Sequence, residues 1–128
     1  MNTQFDPNEY WQSRVGDDAT VGVVGHRSLG VAYNEYIYRR RVDVLDELDI
    51  EIPNKSLLDV GCGSGFYTEY WKHKGVRDYV GVDLSHDTIG RLRREYSDCT
   101  FRQRDITAPL GDGTVRTFDI VTVFALRI

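Results

Sequence analysis

Residues 57–66, Leu-Leu-Asp-Val-Gly-Cys-Gly-Ser-Gly-Phe, constrain the fold of this 128-residue chain more than any other stretch. Residues 57–60 form a short apolar run that reads as a buried strand. Gly61, Gly63 and Gly65 follow, making a turn with almost no side chains, and residues 66–74 read as a helix. A strand, a glycine-rich turn and a helix N-terminus together make a pocket for a nucleotide-type cofactor. Bare backbone approaches the ligand there, and the first helical amides face it.

The glycine spacing narrows the choice. A dinucleotide fingerprint, G-x-G-x-x-G, needs glycine at position 66, where Phe66 stands. The pattern is instead Asp-x-Gly-x-Gly-x-Gly, with Asp59 before the first glycine. A pyrophosphate gains little from a carboxylate at that point, whereas a cofactor carrying an ammonium and a sulfonium is attracted by it. Three further segments support the pattern. Tyr79-Val80-Gly81-Val82-Asp83 reads as a second strand ending in an acid, followed by Leu84 and Ser85. Asp83 lies beyond Gly65 by about one helix and one strand, near the roughly 20 residues expected for a ribose-binding acid. Residues 101–106 form a third segment ending in Asp105 and Ile106, and residues 118–124 a fourth, strongly apolar strand.

Residues 59–65 closely resemble the first motif of class I S-adenosylmethionine-dependent methyltransferases. The four segments match that family in order and type over roughly residues 54–124, and more loosely over 9–48. The resemblance implies an α/β fold, a Rossmann-like doubly wound parallel sheet. Its strand order from one edge is third, second, first, fourth, with S-adenosylmethionine lying across the C-terminal ends of the first two strands.

It also implies roles. The backbone of Gly61, Cys62, Gly63 and Gly65 approaches the methionine moiety. Asp59 meets the cofactor ammonium, directly or through water, or else only organises the turn. Asp83 accepts hydrogen bonds from both ribose hydroxyls, or caps the next helix beside Ser85. Leu84 packs on the adenine, and Asp105 receives the adenine amino group with the Ile106 amide close by, unless Asp105 is only a surface acid. In the family an N-terminal aromatic segment often lies across the pocket. Tyr10 or Trp11 then covers the cofactor and Arg14 meets its carboxylate, or the aromatics merely dock their helix. The sulfonium is already an activated leaving group, so alignment supplies much of the rate, and no residue is identifiable as a catalytic base.

Taken in order, residues 1–53 read as an N-terminal helical cap and loop, and residues 54–128 as a partial cofactor-binding domain. A short helix spans residues 8–14, and a glycine-rich loop spans 16–30, where His26 could approach substrate. A helix over 33–48 has Asn34 as its cap and Ile37, Arg41, Val44, Leu45 and Leu48 as its stripe. Tyr33, Tyr36 and Tyr38 read as packing groups. Gly75 stops the helix after the glycine turn. Ser85 caps the next one, whose Ile89, Leu92 and Tyr96 share a face. The third strand falls at 99–103, a turn-rich connection at 107–116, and Asp119 reads as structural. Arg39-Arg40-Arg41 and the arginines of 91–94 read as solvated helix faces.

The net charge of −4 argues against a general nucleic-acid or anionic-membrane binder. A small molecule, lipid or glycan precursor is therefore the preferred methyl acceptor. No apolar run approaches the roughly 20 residues of a membrane span, and the N-terminus lacks the blocks of a signal peptide. Cys62 and Cys99 have no metal-type spacing, so free thiols in a cytoplasmic protein, with no metal, are the plain reading. A strand with a central-strand sequence standing at a sheet edge invites pairing with another chain. Because the family has further strands after this point, the expectation is an N-terminal fragment of a methyltransferase. The alternative is a non-catalytic cofactor-binding or assembly subunit that pairs through its fourth strand.

Overall fold

Short apolar runs alternating with amphipathic segments cannot bury their faces separately, and they assemble into one layered α/β unit. The computed structural model describes residues 28–109 and 116–124. Helix α1 spans Val31–Glu47, strand β1 Ser56–Val60, helix α2 Phe66–His73 and strand β2 Asp78–Asp83. Helix α3 spans His86–Glu95, strand β3 Thr100–Gln103 and strand β4 Ile120–Val123. The sheet is parallel throughout, in the order β3-β2-β1-β4. This is the expected order, and it reverses direction at β1, where α/β sheets open a crevice for ligands. The predicted helix 8–14, with Tyr10, Trp11 and Arg14, and the segment carrying His26 lie outside the described residues.

Register assigns the two faces of the sheet, because paired residues point the same way. Leu57 pairs with Tyr79 and Ile120, Asp59 with Gly81 and Thr122, and Gly81 with Phe101. On that face the core forms: Leu57, Tyr79 and Phe101 pack with Tyr67 and Trp71 of α2 and Ile89 and Leu92 of α3. Close packing leaves no room for a side chain at position 81, where a Cβ would stand 2.8 Å from Phe101 Cδ1 and 3.0 Å from Cys62 Sγ. The opposite face carries Leu58, Val60, Val121 and Val123, and the last two are 59% and 55% exposed on the edge strand.

The starts of β1 and β4 are fastened by polar contacts rather than apolar ones. Asp119 Oδ2 accepts from the Ser56 amide and hydroxyl, both at 2.8 Å, and the Asp119 amide donates to Ser56 Oγ at 3.0 Å. Those bonds favour the ionised carboxylate and hold it below its ordinary range. Asp119 is thus structural, as its position at the far end of the sheet implies.

Helix α1 departs from expectation in three ways. It begins earlier, with Gly30 as its N-cap. Asn34 is not the cap: it sits one turn inside, buried, and its amide donates back to the carbonyls of Leu29 and Gly30 at 3.1 and 3.3 Å. The buried stripe is also turned. Tyr38, Val42 and Leu45 pack on the core, while Val44 and Leu48 are exposed, as are Tyr33 and Tyr36. The choice is made by Tyr67, whose ring stacks on Tyr38 at 5.5 Å and whose hydroxyl accepts from Arg41 at 3.5 Å. Among the described residues, no helix is long and apolar enough to cross a membrane.

Candidate cofactor site

The site is built where β1 and β2 end side by side. After Val60 the chain must turn sharply into α2, and glycines at 61, 63 and 65 do so with φ of 76°, 48° and 83°. The turn is fixed from below by two bonds to one carbonyl: the amides of Gly61 and Cys62 donate to Val82 O at 2.8 and 3.1 Å. The Gly65 amide then donates to Cys62 O at 3.1 Å, and Gly65 becomes the N-cap of α2. The cap has no side chain, and the first helical amide, of Phe66, donates to Ser64 Oγ at 3.3 Å.

Asp83 closes the other side. Its Oδ2 accepts from the Gly63 amide at 3.0 Å, and its Oδ1 accepts from the Ser85 amide at 3.0 Å. One carboxylate therefore pins the turn after β1 to the turn after β2. Burial raises its pKa, and the amide bonds oppose that rise. A carboxylate offers about four lone-pair positions, so acceptor capacity remains for a ligand hydroxyl beside the amides of Ser85, Gly63 and Leu84. Ser85 is the helix cap, as expected, its hydroxyl accepting from the Thr88 amide at 3.3 Å.

The remaining candidates fall into three places. Asp59 is only 1% exposed, and both of its oxygens are engaged, by Tyr79 at 2.7 Å and by Thr122 at 3.1 Å. Burial pushes its pKa up to about 6 against the pull of those two donors. Cys62 contributes its backbone to the turn while its thiol lies in the core, where burial raises its pKa well above the ordinary value. Leu84 is half-buried next to Asp83, and its carbonyl accepts from Gln103 Nε2 at 3.1 Å. Asp105 and Ile106 stand exposed beyond β3. Asp105 Oδ1 accepts from the Thr107 amide and hydroxyl at 2.9 and 2.7 Å, which holds its pKa low. Tyr10 and Arg14 lie outside the described residues.

Three contributors were not legible as site residues. Tyr79 and Thr122 read as strand residues, and only the register places both hydroxyls on Asp59. Arg91 read as part of a solvated basic face, yet its guanidinium donates to the Ser64 carbonyl in the glycine turn at 2.9 Å and is largely buried. Arg93 is likewise engaged, on the Phe101 carbonyl at 3.0 and 2.8 Å. The signal for Arg91 was positional: it is the first arginine of α3, one residue before Leu92, which packs against Gly65.

A parallel sheet with a bare glycine turn after its first strand and an acid after its second defines a Rossmann-like cofactor domain. Comparison with known proteins agrees. A family described as "Methyltransferase domain" matches residues 58–126, and the chain belongs to that family. A ubiquinone biosynthesis O-methyltransferase of Methylococcus capsulatus is 36% identical over 74 residues, which is 56% of this chain and 31% of that protein. A malonyl-[acyl-carrier protein] O-methyltransferase of Pectobacterium atrosepticum is 33% identical over 60 residues, 46% of this chain and 23% of that protein. The chain thus spans about a quarter to a third of the length of these curated relatives. Among solved structures, magnesium protoporphyrin IX methyltransferase of Synechocystis PCC 6803 with bound SAM superposes with a TM-score of 0.64 at 17% identity. The match covers 94% of this chain and 62% of that one, and it shows a shared fold.

Proposed function

We propose that this chain binds S-adenosylmethionine across the C-terminal ends of β1 and β2, as the cofactor-binding part of an enzyme that methylates a small-molecule acceptor. The observation that carries the reading is Asp83, held by the amides of Gly63 and Ser85 with acceptor capacity left over. The turn leaves room too: a Cβ built on Gly63 would make one ordinary contact, with Gly61 O at 3.7 Å, and meet nothing closer. When bound, the cofactor supplies an activated methyl group. The chain's own contribution is to bind and orient: Asp83 takes the ribose, the residue 61–65 backbone takes the methionine end, and Leu84 flanks the adenine. Asp105 and Ile106 are assigned to the adenine edge. Tyr10 and Arg14, in an N-terminal cap over residues 1–53, are assigned to covering the pocket of the domain over 54–128. One relative is named a ubiquinone biosynthesis O-methyltransferase and the other a malonyl-[acyl-carrier protein] O-methyltransferase; the first name supports a small metabolite as acceptor. A cytoplasmic setting belongs to the same reading.

Calorimetric titration with S-adenosylhomocysteine tests it. Saturable one-site binding by the chain, lost in Asp83→Ala, is the expected result. A folded chain that binds nothing rejects it. A second reading, an assembly subunit, is favoured by one observation, the exposed Val121 and Val123 on edge strand β4. Sedimentation decides between them: a defined dimer that Val121→Lys dissolves supports pairing through β4, and a monomer at all concentrations counts against it.

A further inference from the structure

Beneath the glycine turn, one line of hydrogen bonds crosses four elements. Tyr79 of β2 donates to Asp59 Oδ2 at 2.7 Å, and Thr122 of β4 donates to Asp59 Oδ1 at 3.1 Å. Tyr79 has a single proton, already given to Asp59, so the 2.8 Å contact between its hydroxyl and Thr68 of α2 has Thr68 as donor. All four residues are buried, so water does not compete. Burying three hydroxyls and a carboxylate holds elements together no better than apolar side chains of the same shape. The line instead converges on one group, the carboxylate two residues before Gly61, where the turn starts.

We propose that Tyr79 and Thr122 are positioning residues for the cofactor turn: through Asp59 they keep a charged carboxylate seated under residues 61–65 and fix where the turn stands. The effect on ligand affinity rests on the S-adenosylmethionine reading; the state of Asp59 is a property of the ligand-free chain. Burial pushes Asp59 toward neutrality, and the two hydroxyl donors oppose it. The neighbouring titratable groups do not help. Asp83 on β2, Cys62 in the turn and Tyr67 on α2 each couple to Asp59 as acids. The positive group on the α1 side, Arg41, is spent on the Tyr67 hydroxyl and the Tyr38 ring. Loss of either donor therefore leaves Asp59 neutral closer to neutral pH.

The test follows the Asp59 carboxyl carbon by NMR in the ligand-free chain across a pH series, in the wild type, Tyr79→Phe, Thr122→Val and Thr122→Ser. The wild-type midpoint is expected near 6. It rises by about 1 pH unit in Tyr79→Phe and Thr122→Val, the equivalent of one hydrogen bond to a charged group. Thr122→Ser restores it, and the Gly61 amide resonance titrates together with Asp59. In parallel, S-adenosylhomocysteine affinity at neutral pH falls several-fold in Tyr79→Phe and Thr122→Val, and its pH dependence moves up with the Asp59 midpoint. A merely structural role lowers stability and raises the Asp59 midpoint, but leaves the Gly61 amide and the pH dependence of binding in place. An unchanged Asp59 midpoint, or a Gly61 amide that does not follow Asp59, overturns the proposal. If the wild-type chain binds no S-adenosylhomocysteine, the reading of the site fails, while the response of the Gly61 amide to Asp59 still decides the role of Tyr79 and Thr122. If Tyr79→Phe does not fold, the pair of Thr122 variants carries the same decision.

Discussion

Single residues in the turn carry different physical loads that the sequence pattern makes look equivalent. Gly63 and Gly65 both have positive φ, 48° and 83°. A Cβ on Gly63 has room, whereas on Gly65 it would stand 2.8 Å from Leu92 Cδ2, a side chain with no exposed surface on which to retreat. Gly63→Ala is expected to lose about 1 kcal/mol of stability, from backbone strain alone. Gly65→Ala should lose about 3 kcal/mol, because overpacking adds to the strain; urea unfolding of the two variants checks the order. Ligand binding should show the reverse sensitivity relative to stability, since the Gly63 Cβ would project into the open side of the turn. Asp59 gives a second residue-level expectation. Its pKa moves from 3.8 to about 6 on folding, so the folded state keeps a proton that the unfolded chain releases within that window. The contribution of Asp59 is therefore fully favourable below the lower value and is lost as pH rises through the upper one. The stability of Asp59→Asn relative to wild type should increase by on the order of 2–3 kcal/mol from acid to neutral pH. The measurement is chemical unfolding at both ends of the range, and a pH-independent difference would refute the assignment. A variant stabler at neutral pH yet weaker for ligand is the trade-off expected where a charge is kept buried for function.

At the level of elements, legibility tracked how local the determining contacts are. The glycine turn, the Ser85 cap and the strand order were readable, because each rests on spacing within about 30 residues or on the short list of topologies that parallel sheets permit. The orientation of α1 was not. Its sequence carries two overlapping stripes at helical spacing, the expected one through Ile37, Arg41, Val44, Leu45 and Leu48 and the observed one through Tyr38, Val42 and Leu45. Periodicity accepts either. The selection comes from α2, where Tyr67 stacks on Tyr38 and on Phe124, and Phe66 meets Tyr38 edge-on at 5.3 Å. Leu45→Ala should therefore destabilise by about 1–2 kcal/mol and Leu48→Ala by no more than about 0.5 kcal/mol. Thermal unfolding of the pair distinguishes the observed face from the expected one, which demands similar losses for both. Asn34 illustrates the same limit in miniature: asparagine three residues into a helix reads as a cap, but a buried amide finds the carbonyls behind it instead.

For the whole molecule, the question is how far the site and the fold depend on each other. Asp59 with Tyr79 and Thr122, and Asp83 with Gly63, join partners 20 to 63 positions apart in the chain. No local pattern announces such pairs; they exist only once β1 lies between β2 and β4. The proposed ligand would touch the ends of both central strands and the start of α2, and so bears on elements that also hold the core. Its binding free energy then becomes folding free energy for the described unit as a whole rather than for a loop. S-adenosylhomocysteine at about 100 times its Kd should add about 2.7 kcal/mol to stability and raise Tm by about 10 °C. Dialysis of the ligand should return Tm to its starting value, and Asp83→Ala should show no shift in either direction. Hydrogen exchange distinguishes global from local coupling: added protection at the buried amides of β1 and β2 means the site is part of the folding unit. Protection confined to residues 61–65 would mean that the turn orders by itself on a sheet that is already complete.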